Sequence, residues 1–377
     1  MTEASATAAA RIPPRTSVGP IAWLRSNLFS SWGNAFLTLL ALWLFYQAVT
    51  ATVGWAIINA TWEGPNGDAC TREGAGACWP FVADWFGQFM YGRYPESERV
   101  RVNLTYVLAL AGLVPLMIPR IPGKLWSSIY LIAVFPVLAT VLLSGGVFGL
   151  EHVPTDLWGG LLVTLVISSS GIAAAFPLAI LLALGRRSRM PIVRWLSVGF
   201  IEFVRGVPLI TVLFMASVML PLFIPDRWSI DKLLRALIMV ALFSAAYLAE
   251  VIRGGLQAIP RGQFEAAEAL GLSYAQKMGL IVLPQALKLV IPGIVNSFIS
   301  LFKDTSLVLI IGIFDLLGMV QSGLSTPKWL SPATPMTGYV FAGLVFWVFC
   351  FGISRYSQML ERRLAAGGQR AVAKGIE

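Results

Sequence analysis

Four polar side chains interrupt one apolar stretch of this 377-residue chain. Lys303 and Asp304 fall near the middle of the stretch at about 289–313, where a charge is costly unless it faces protein or water. Asn296 and Ser300 precede them at spacings that place all four on one face of a helix. Such a stripe either lines a polar path and binds a zwitterion such as an amino acid, or forms an internal ion-pair network between helices. The sequence leaves both alternatives open.

Two charged pairs have helical spacing near the ends of apolar stretches. Glu202 and Arg205 are three residues apart, and Glu250 and Arg253 repeat this spacing further along the chain. Residues three apart on a helix are neighbours. We expect such pairs to hold helix ends together or to set the geometry of a gate, and direct ligand contact is the less favoured alternative.

Residue types that carry enzymatic or metal chemistry are scarce. His152 is the one histidine, and no G-x-x-x-x-G-K-[ST] phosphate loop occurs, so we predict no catalytic residue, no metal site, no bound cofactor and no ATP hydrolysis by this chain. Cys350 lies inside an apolar stretch, whereas Cys70 and Cys78 share one hydrophilic loop. An oxidising compartment would allow the latter two to form a disulfide. The alternative is two free thiols.

The elements that must position these residues are membrane helices. Hydrophobic residues make up 57% of the chain and charged residues 12%, with a mean hydropathy of +0.74, whereas soluble domains carry about 25% charged residues. A helix spans a bilayer with roughly 20 apolar residues. Stretches of this kind run at about 34–59, 102–119, 128–150, 157–184, 199–224, 233–253, 289–313 and 338–357. We therefore predict an all-α polytopic membrane protein with about eight transmembrane helices.

Lys and Arg residues indicate the orientation of these helices. They concentrate before the first stretch and after the second, fourth, sixth and eighth, and such residues mark cytoplasmic loops. With eight spans, both termini lie in the cytoplasm, and residues of about 60–100 form a long outward loop. The net charge of +9 thus reports orientation rather than nucleic-acid binding.

The loop at about 254–287 is long, polar and rich in local structural signals. Residues 263–270 are good helix formers, and Gly271 is placed to end that helix in a left-handed conformation. Ser273 and Gln276 have capping-box spacing, which predicts a second short helix.

The remaining residues of this loop indicate what it could contact. Pro284 should break or kink the second helix before the next span. Small residues such as Ala266 and Ala267 would let a partner surface approach the first helix, and Phe264 and Leu270 offer apolar anchors at its ends. The residues alone predict either a docking helix or an amphipathic connector lying on the membrane.

A family resemblance favours the docking helix. The signature residues are Glu265, Ala266, Ala267, Gly271, Ile281, Leu283 and Pro284. This pattern resembles the signature of permeases of binding-protein-dependent ABC importers. The stretches 202–209, 249–254 and 303–307 resemble the polar amino-acid branch of that family. In the family this loop is a coupling helix that sits in a groove of an ATP-binding subunit, which implies an ATPase-coupling role for Glu265, Ala266, Ala267, Gly271 and Pro284.

The resemblance covers about residues 157–362 and implies a domain organisation. Residues 151–363 would form the five-helix core of a type I ABC importer. Residues 32–150 would form a three-helix extension with a periplasmic loop, and 1–31 and 364–377 would be cytoplasmic tails. The extension is similar to that of the larger permeases of general L-amino-acid uptake systems.

The resemblance also implies the function and the partners. The chain would be the permease subunit of an ATP-driven L-amino-acid importer in the bacterial inner membrane. Its partners would be two ATP-binding subunits holding ATP and Mg, a second homologous permease in a heterodimer, a periplasmic amino-acid-binding protein and the lipid bilayer. The alternatives are an ion-driven secondary transporter, in which Lys303 and Asp304 carry the coupling charge, and a structural membrane subunit or receptor.

Overall fold

The structure is a computed structural model that describes residues 19–118, 121–223 and 230–374, with side chains as far as residue 364. Over this part of the chain the secondary structure is helical, and no strand is present. Residues 1–18 of the predicted N-terminal tail and residues 375–377 of the C-terminal tail lie outside it. The rest of the predicted N-terminal tail contains a short helix, with Pro20 in its first turn.

The α-helices of the described residues are numbered in chain order. They are α1 Pro20–Asn27, α2 Trp32–Val53, α3 Trp79–Tyr91, α4 Arg99–Met117, α5 Lys124–Ile129, α6 Phe135–Ser144, α7 Gly160–Arg186, α8 Pro191–Gly206, α9 Leu209–Phe214, α10 Lys232–Ala258, α11 Arg261–Ala269, α12 Tyr274–Gln276, α13 Leu283–Leu289, α14 Ile291–Asp304, α15 Leu316–Leu324 and α16 Thr334–Lys374. Segments of π-helix follow α2, α5, α9 and α12 at Gly54–Ile58, Tyr130–Val134, Met215–Met219 and Lys277–Val282.

Seven helical segments of the described residues are long and apolar enough to cross a membrane. They are Trp32–Ile58, Glu96–Met117, Lys124–Ser144, Gly160–Arg186, Lys232–Ala258, Ile291–Ile311 and Thr334–Leu364. The number is eight if the bent pair Pro191–Gly206 and Leu209–Leu222 counts as one span. The prediction of about eight transmembrane helices is confirmed.

The fifth predicted span, at about 199–224, differs from a single straight helix. Its two halves are bent by 104°. Val207 between them is extended, with φ −114° and ψ 137°. Pro208 follows, and a proline disfavours the helical conformation of the residue before it and has no N–H of its own. Pro208 lies within the apolar stretch at about 199–224, but the length and composition of that stretch did not indicate so large a bend.

The chain divides into two compact units. The first comprises the residues up to Pro80 together with Ser331–Ala333, and the second comprises Phe81–Leu330 and the residues from Thr334 onward. In the first unit a disulfide links Cys70 to Cys78. The rings of Trp62 and Trp79 stack on each other in the same unit, with their centroids 5.9 Å apart. Residues 70–78 of the first unit are therefore closed into a covalent loop.

The centre of the second unit is the packing of α7 along α10. Ala175, Ala179 and Ala183 lie four residues apart on α7, and Ala245 and Ala249 have the same spacing on α10. All five are buried in one hydrophobic cluster. Small residues at this spacing let two helix backbones approach closely. These two helices form the frame from which the loop at about 254–287 continues.

The part of α3 from Phe81 onward packs against the outward ends of the other helices in the second unit. Asp84 accepts hydrogen bonds from Lys328 at 2.9 Å and from Trp329 Nε1 at 2.7 Å. Burial raises the pKa of Asp84, but these hydrogen bonds outweigh it and hold the pKa below its usual value. Gly160 has φ +61°, and a Cβ there would lie 2.3 Å from the Phe89 carbonyl oxygen. Only glycine fits so close a contact with α3.

Candidate functional site

Helix α11 and the turn after it form an ordered motif between two candidate membrane spans. The helix covers Arg261–Ala269, and Gly271 follows with φ +71°. The Gly271 N–H donates to the Glu268 carbonyl at 2.9 Å, and the Leu272 N–H donates to the Ala267 carbonyl at 3.2 Å. These are the bonds of a Schellman C-cap, which satisfies carbonyls that a helix end leaves free. The predicted helix and its left-handed end are confirmed.

The second helix of the loop begins as predicted but continues further. Ser273 and Gln276 make both hydrogen bonds of a capping box. The chain then stays helical through Pro284, because a π-helical segment, Lys277–Val282, lies just before it. A π-bulge relieves the missing backbone hydrogen bond. Of the predicted break or kink at Pro284, the break is therefore wrong. The helix continues to Leu289, and Val290 alone separates it from α14.

The two faces of α11 have different surroundings. Glu265 and Ala266 are exposed, and Leu270 is 76% exposed. Ala267 is 1% exposed and packs inward. Phe264 is half-buried against the hydrophobic cluster of the second unit. Of the residues expected to meet a partner, Glu265, Ala266 and Leu270 are available, whereas Ala267 and Phe264 attach α11 to its own chain.

Polar contacts hold α11 to the helices that follow it. Gln285 Nε2 donates to Gln263 Oε1 at 3.0 Å. Lys277 Nζ donates to Glu268, and this hydrogen bond holds the pKa of the Glu268 carboxyl below its usual value. A surface ion pair of this kind contributes little alone. Together with the buried Ala267, these contacts fix the orientation of α11.

A second site consists of charged side chains near the C-terminal ends of α7, α8 and α10. Arg186 Nη1 lies 2.8 Å from Glu202 Oε1 and 3.0 Å from Glu250 Oε1. Glu250 also contacts Arg253 at 2.8 Å and Arg205 at 3.7 Å. We call these five residues the arginine–glutamate cluster.

One pairing in the arginine–glutamate cluster differs from the prediction. Glu250 and Arg253 pair as their spacing indicates. Glu202 instead pairs with Arg186 on the preceding helix, and Arg205 reaches Glu250. From the sequence, Arg186 is one of the basic residues that follow the apolar stretch at about 157–184 and indicate orientation. Its place just beyond the end of that stretch is the sequence feature that could have indicated a contact at the helix end.

The polar stripe on α14 lies on a face of the helix that the rest of the single chain leaves largely exposed. Asn296, Ser300 and Lys303 are exposed, and Asp304 is half-buried. Residues Leu301 and Phe302, on the opposite face, are almost completely buried. Within the described part of the chain, the salt bridges involve neither Lys303 nor Asp304. The stripe is thus grouped on one face, as its spacing predicts.

The remaining candidate residues lie elsewhere. Cys70 and Cys78 form the disulfide already described, with Cα atoms 5.7 Å apart. Cys350 is a free thiol within α16. Across the described ranges, no group of three or more His, Cys, Asp and Glu side chains is arranged to hold a metal ion.

Fold and site together define a polytopic membrane protein with an ordered helix, α11, between two spans, one face of which is exposed. Residues 175–366 match the family described as the binding-protein-dependent transport system inner membrane component. The chain belongs to this family, as the sequence analysis predicted from the loop signature.

Full-length relatives support this assignment. The chain is 54% identical over 364 residues to the inner membrane amino-acid ABC transporter permease protein YhdY of Escherichia coli K12, covering 94% of this chain and 97% of the relative. It is 39% identical over 420 aligned positions to the glutamate/glutamine/aspartate/asparagine transport system permease protein BztC of Rhodobacter capsulatus, covering 94% and 96%. A solved amino acid ABC transporter crystallised with histidines is similar at a TM-score of 0.48 and 28% identity, over 54% of this chain and 92% of that one.

Proposed function

We propose that this chain is the permease subunit of an ATP-driven importer for L-amino acids. One relative is named as an amino-acid ABC transporter permease, and a second is named for glutamate, glutamine, aspartate and asparagine. The observation that carries the proposal is the outward face of α11. It combines an exposed carboxylate, a small alanine and the exposed Leu270 on a helix whose other face is attached to the permease.

The proposed role of α11 is to dock a separate ATPase subunit. A small residue such as Ala266 lets another backbone approach, and an exposed Leu270 gives an apolar anchor that water does not favour. ATP and Mg would sit on the ATPase, and two such subunits would serve the two permeases of one transporter. Glu265, Ala266 and Gly271 would carry the docking geometry, while Ala267 and Pro284 would shape the permease side.

The polar stripe on α14 supports a translocation path shared with a second permease. A charge inside a span is stable only next to protein or water, and Lys303 is exposed in the single chain. We infer that a homologous permease covers this face in a heterodimer. Asn296, Ser300, Lys303 and Asp304 would then line the path between the two subunits. A periplasmic binding protein would deliver the amino acid, and both termini would be cytoplasmic.

The energy source can be tested on the assembled transporter. We expect proteoliposomes containing the permease, its ATPase and its binding protein to import radiolabelled L-glutamate, L-glutamine, L-aspartate or L-asparagine when ATP is enclosed. Ionophores that collapse ion gradients should leave uptake intact, whereas a non-hydrolysable ATP analogue should stop it. Uptake that follows the ion gradient and ignores ATP would overturn the proposal in favour of a secondary transporter.

The docking surface can be tested separately with A266W. Ala266 is exposed, so the larger ring should leave thermal unfolding unchanged but block the approach of the ATPase. We expect co-purification of the ATPase to fall about tenfold or more, because a steric clash discriminates strongly at an interface. A266S keeps the small size and should bind as the wild type does. Normal co-purification and uptake by A266W would show that α11 is not the docking helix.

A further inference from the structure

Arg187 lies where three helices meet beside the docking helix. It is the residue that caps the C-terminus of α7. Its Nη1 donates to the Leu256 carbonyl in the last turn of α10 at 2.9 Å. Its guanidinium carbon lies 5.8 Å from the ring centroid of Phe264 on α11. One side chain therefore belongs to α7 and contacts both α10 and α11.

The chemistry of each contact suits an arginine. The last four carbonyls of a helix lack partners within the helix, and the negative end of its dipole attracts a cation. An aromatic face attracts a guanidinium within about 6 Å of its centroid. A planar guanidinium can stack on a ring and donate in its own plane at once, which a lysine ammonium does less well.

The other polar contacts of α11 are with the helical segments that follow it in the chain. The hydrogen bond from Gln285 and the ion pair with Lys277 attach α11 to the segment that continues into α14. Apart from the two-residue link, Ile259 and Pro260, that joins α10 to α11 in the chain, contact with the frame formed by α7 and α10 runs through Phe264, which packs in their hydrophobic cluster, and through Arg187, whose guanidinium lies over its ring. Displacement of α11 would thus be transmitted to α14 through one set of contacts and to the frame of α7 and α10 through another.

We propose that Arg187 is a positioning residue that couples displacement of the docking helix to α7 and α10. This inference rests on the proposed function, because it assumes that an ATPase moves α11. Arg187 acts through Phe264 and Leu256 and need not contact the ATPase, ATP or the transported amino acid. Its loss should therefore separate ATP hydrolysis from uptake rather than abolish ATPase binding.

The test measures amino acid imported per ATP hydrolysed in proteoliposomes that contain the complete transporter. With the four radiolabelled amino acids named above, we expect R187A to retain ATPase co-purification and hydrolysis, while the ratio of import to hydrolysis falls about fivefold or more, the usual scale of a coupling between two sites. R187K should fall in between. Arg194 is an exposed arginine on the next helix, and R194A should keep the wild-type ratio.

Variants of Phe264 distinguish coupling from a simple loss of packing. F264Y keeps the ring under the guanidinium and should retain the ratio, whereas F264L keeps apolar bulk without a ring and should lower it. The double variant R187A/F264L should be little worse than R187A, because both changes remove one contact. If R187A does not fold, the comparison of R187K, F264L and F264Y still decides the question.

Two different failures can be told apart. Wild-type import per ATP in R187A and F264L, with a normal wild-type transporter, would overturn the role of Arg187 alone. A wild-type preparation that neither binds an ATPase nor imports with ATP would overturn the proposed function itself.

Discussion

Asp315 is a buried carboxylate outside the candidate membrane spans. It is 0% exposed, and its Oδ1 accepts the Gly318 N–H at 2.9 Å as the N-cap of α15. Burial raises the pKa of Asp315 to about 6, although backbone N–H groups at the helix start favour the charged form. The carboxylate is thus held where its ionisation at neutral pH costs free energy.

This burial predicts a pH dependence of stability. A carboxyl whose pKa is higher in the folded state binds more protons there than in the unfolded state, so the free energy of unfolding should fall as pH rises from about 4 to about 6 and then level off. Replacing Asp315 with Asn removes the charge but keeps an oxygen that can accept from Gly318. We expect thermal unfolding of D315N in detergent to lack this fall in stability between about pH 4 and about pH 6.

The control for this prediction is D315A. D315A removes the cap as well as the charge, so its free energy of unfolding should be about 1 kcal/mol below that of D315N across this pH range. The quantity to compare is the difference between wild type and D315N at each pH. A constant difference between about pH 4 and about pH 6 would contradict the shifted pKa.

At the scale of elements, the arginine–glutamate cluster joins the C-terminal ends of α7, α8 and α10. Glu250 is its centre, with contacts to Arg186, Arg205 and Arg253, and its side chain is 14% exposed. Glu202 contacts Arg186 at the edge, and its side chain is 55% exposed. The three guanidinium groups would repel one another without the central carboxylate.

This arrangement predicts unequal effects of two similar substitutions. E250Q should lower the free energy of unfolding by about 1–3 kcal/mol, because it leaves partly buried arginines with weakened partners. E202Q should lower it clearly less, because exposed ion pairs contribute little to stability. Thermal unfolding of the two variants at low and high salt is the measurement. Equal losses would show that Glu250 is not the centre of the cluster.

Local patterns predicted the elements near this cluster more accurately than they predicted its contacts. The helix ending at Gly271 and the capping box at Ser273 depend on backbone bonds between residues a few positions apart, which a sequence displays directly. The partner of Glu202 lies 16 positions earlier in the chain, on another helix. Spacing within one helix could not identify it, because the choice depends on how α7 packs against α8.

At the scale of the whole molecule, the single chain leaves its polar stripe uncovered. Ser300 and Lys303 are exposed on a helix whose opposite face is buried against other helices of the same chain. Lipid would not satisfy these groups. The functional unit must therefore provide protein or water on this side of α14.

Thiol accessibility tests this arrangement in the assembled transporter. With Cys350 replaced by Ala, a cysteine at Ser300 should react with a small, charged methanethiosulfonate reagent, because the proposed path contains water. Reaction should inhibit uptake, and transported amino acid should slow the reaction. L301C is the matched control, since Leu301 is only 2% exposed within its own chain, and it should stay unreactive. An unreactive S300C would contradict the path.

The amino-acid sequence by itself determined that the chain crosses a membrane, that its polar stripe lies on one helix face, and that the loop at about 254–287 contains two short helices separated at Gly271. These features follow from apolar length, helical periodicity and short-range backbone hydrogen bonds. Only the tertiary structure decided that Ala266 faces outward while Ala267 is buried, and that the helix continues through Pro284. It also decided that Arg186 and Arg187 contact distant helices. Those outcomes depend on which helix surfaces meet, and side-chain packing between elements far apart in the chain sets them.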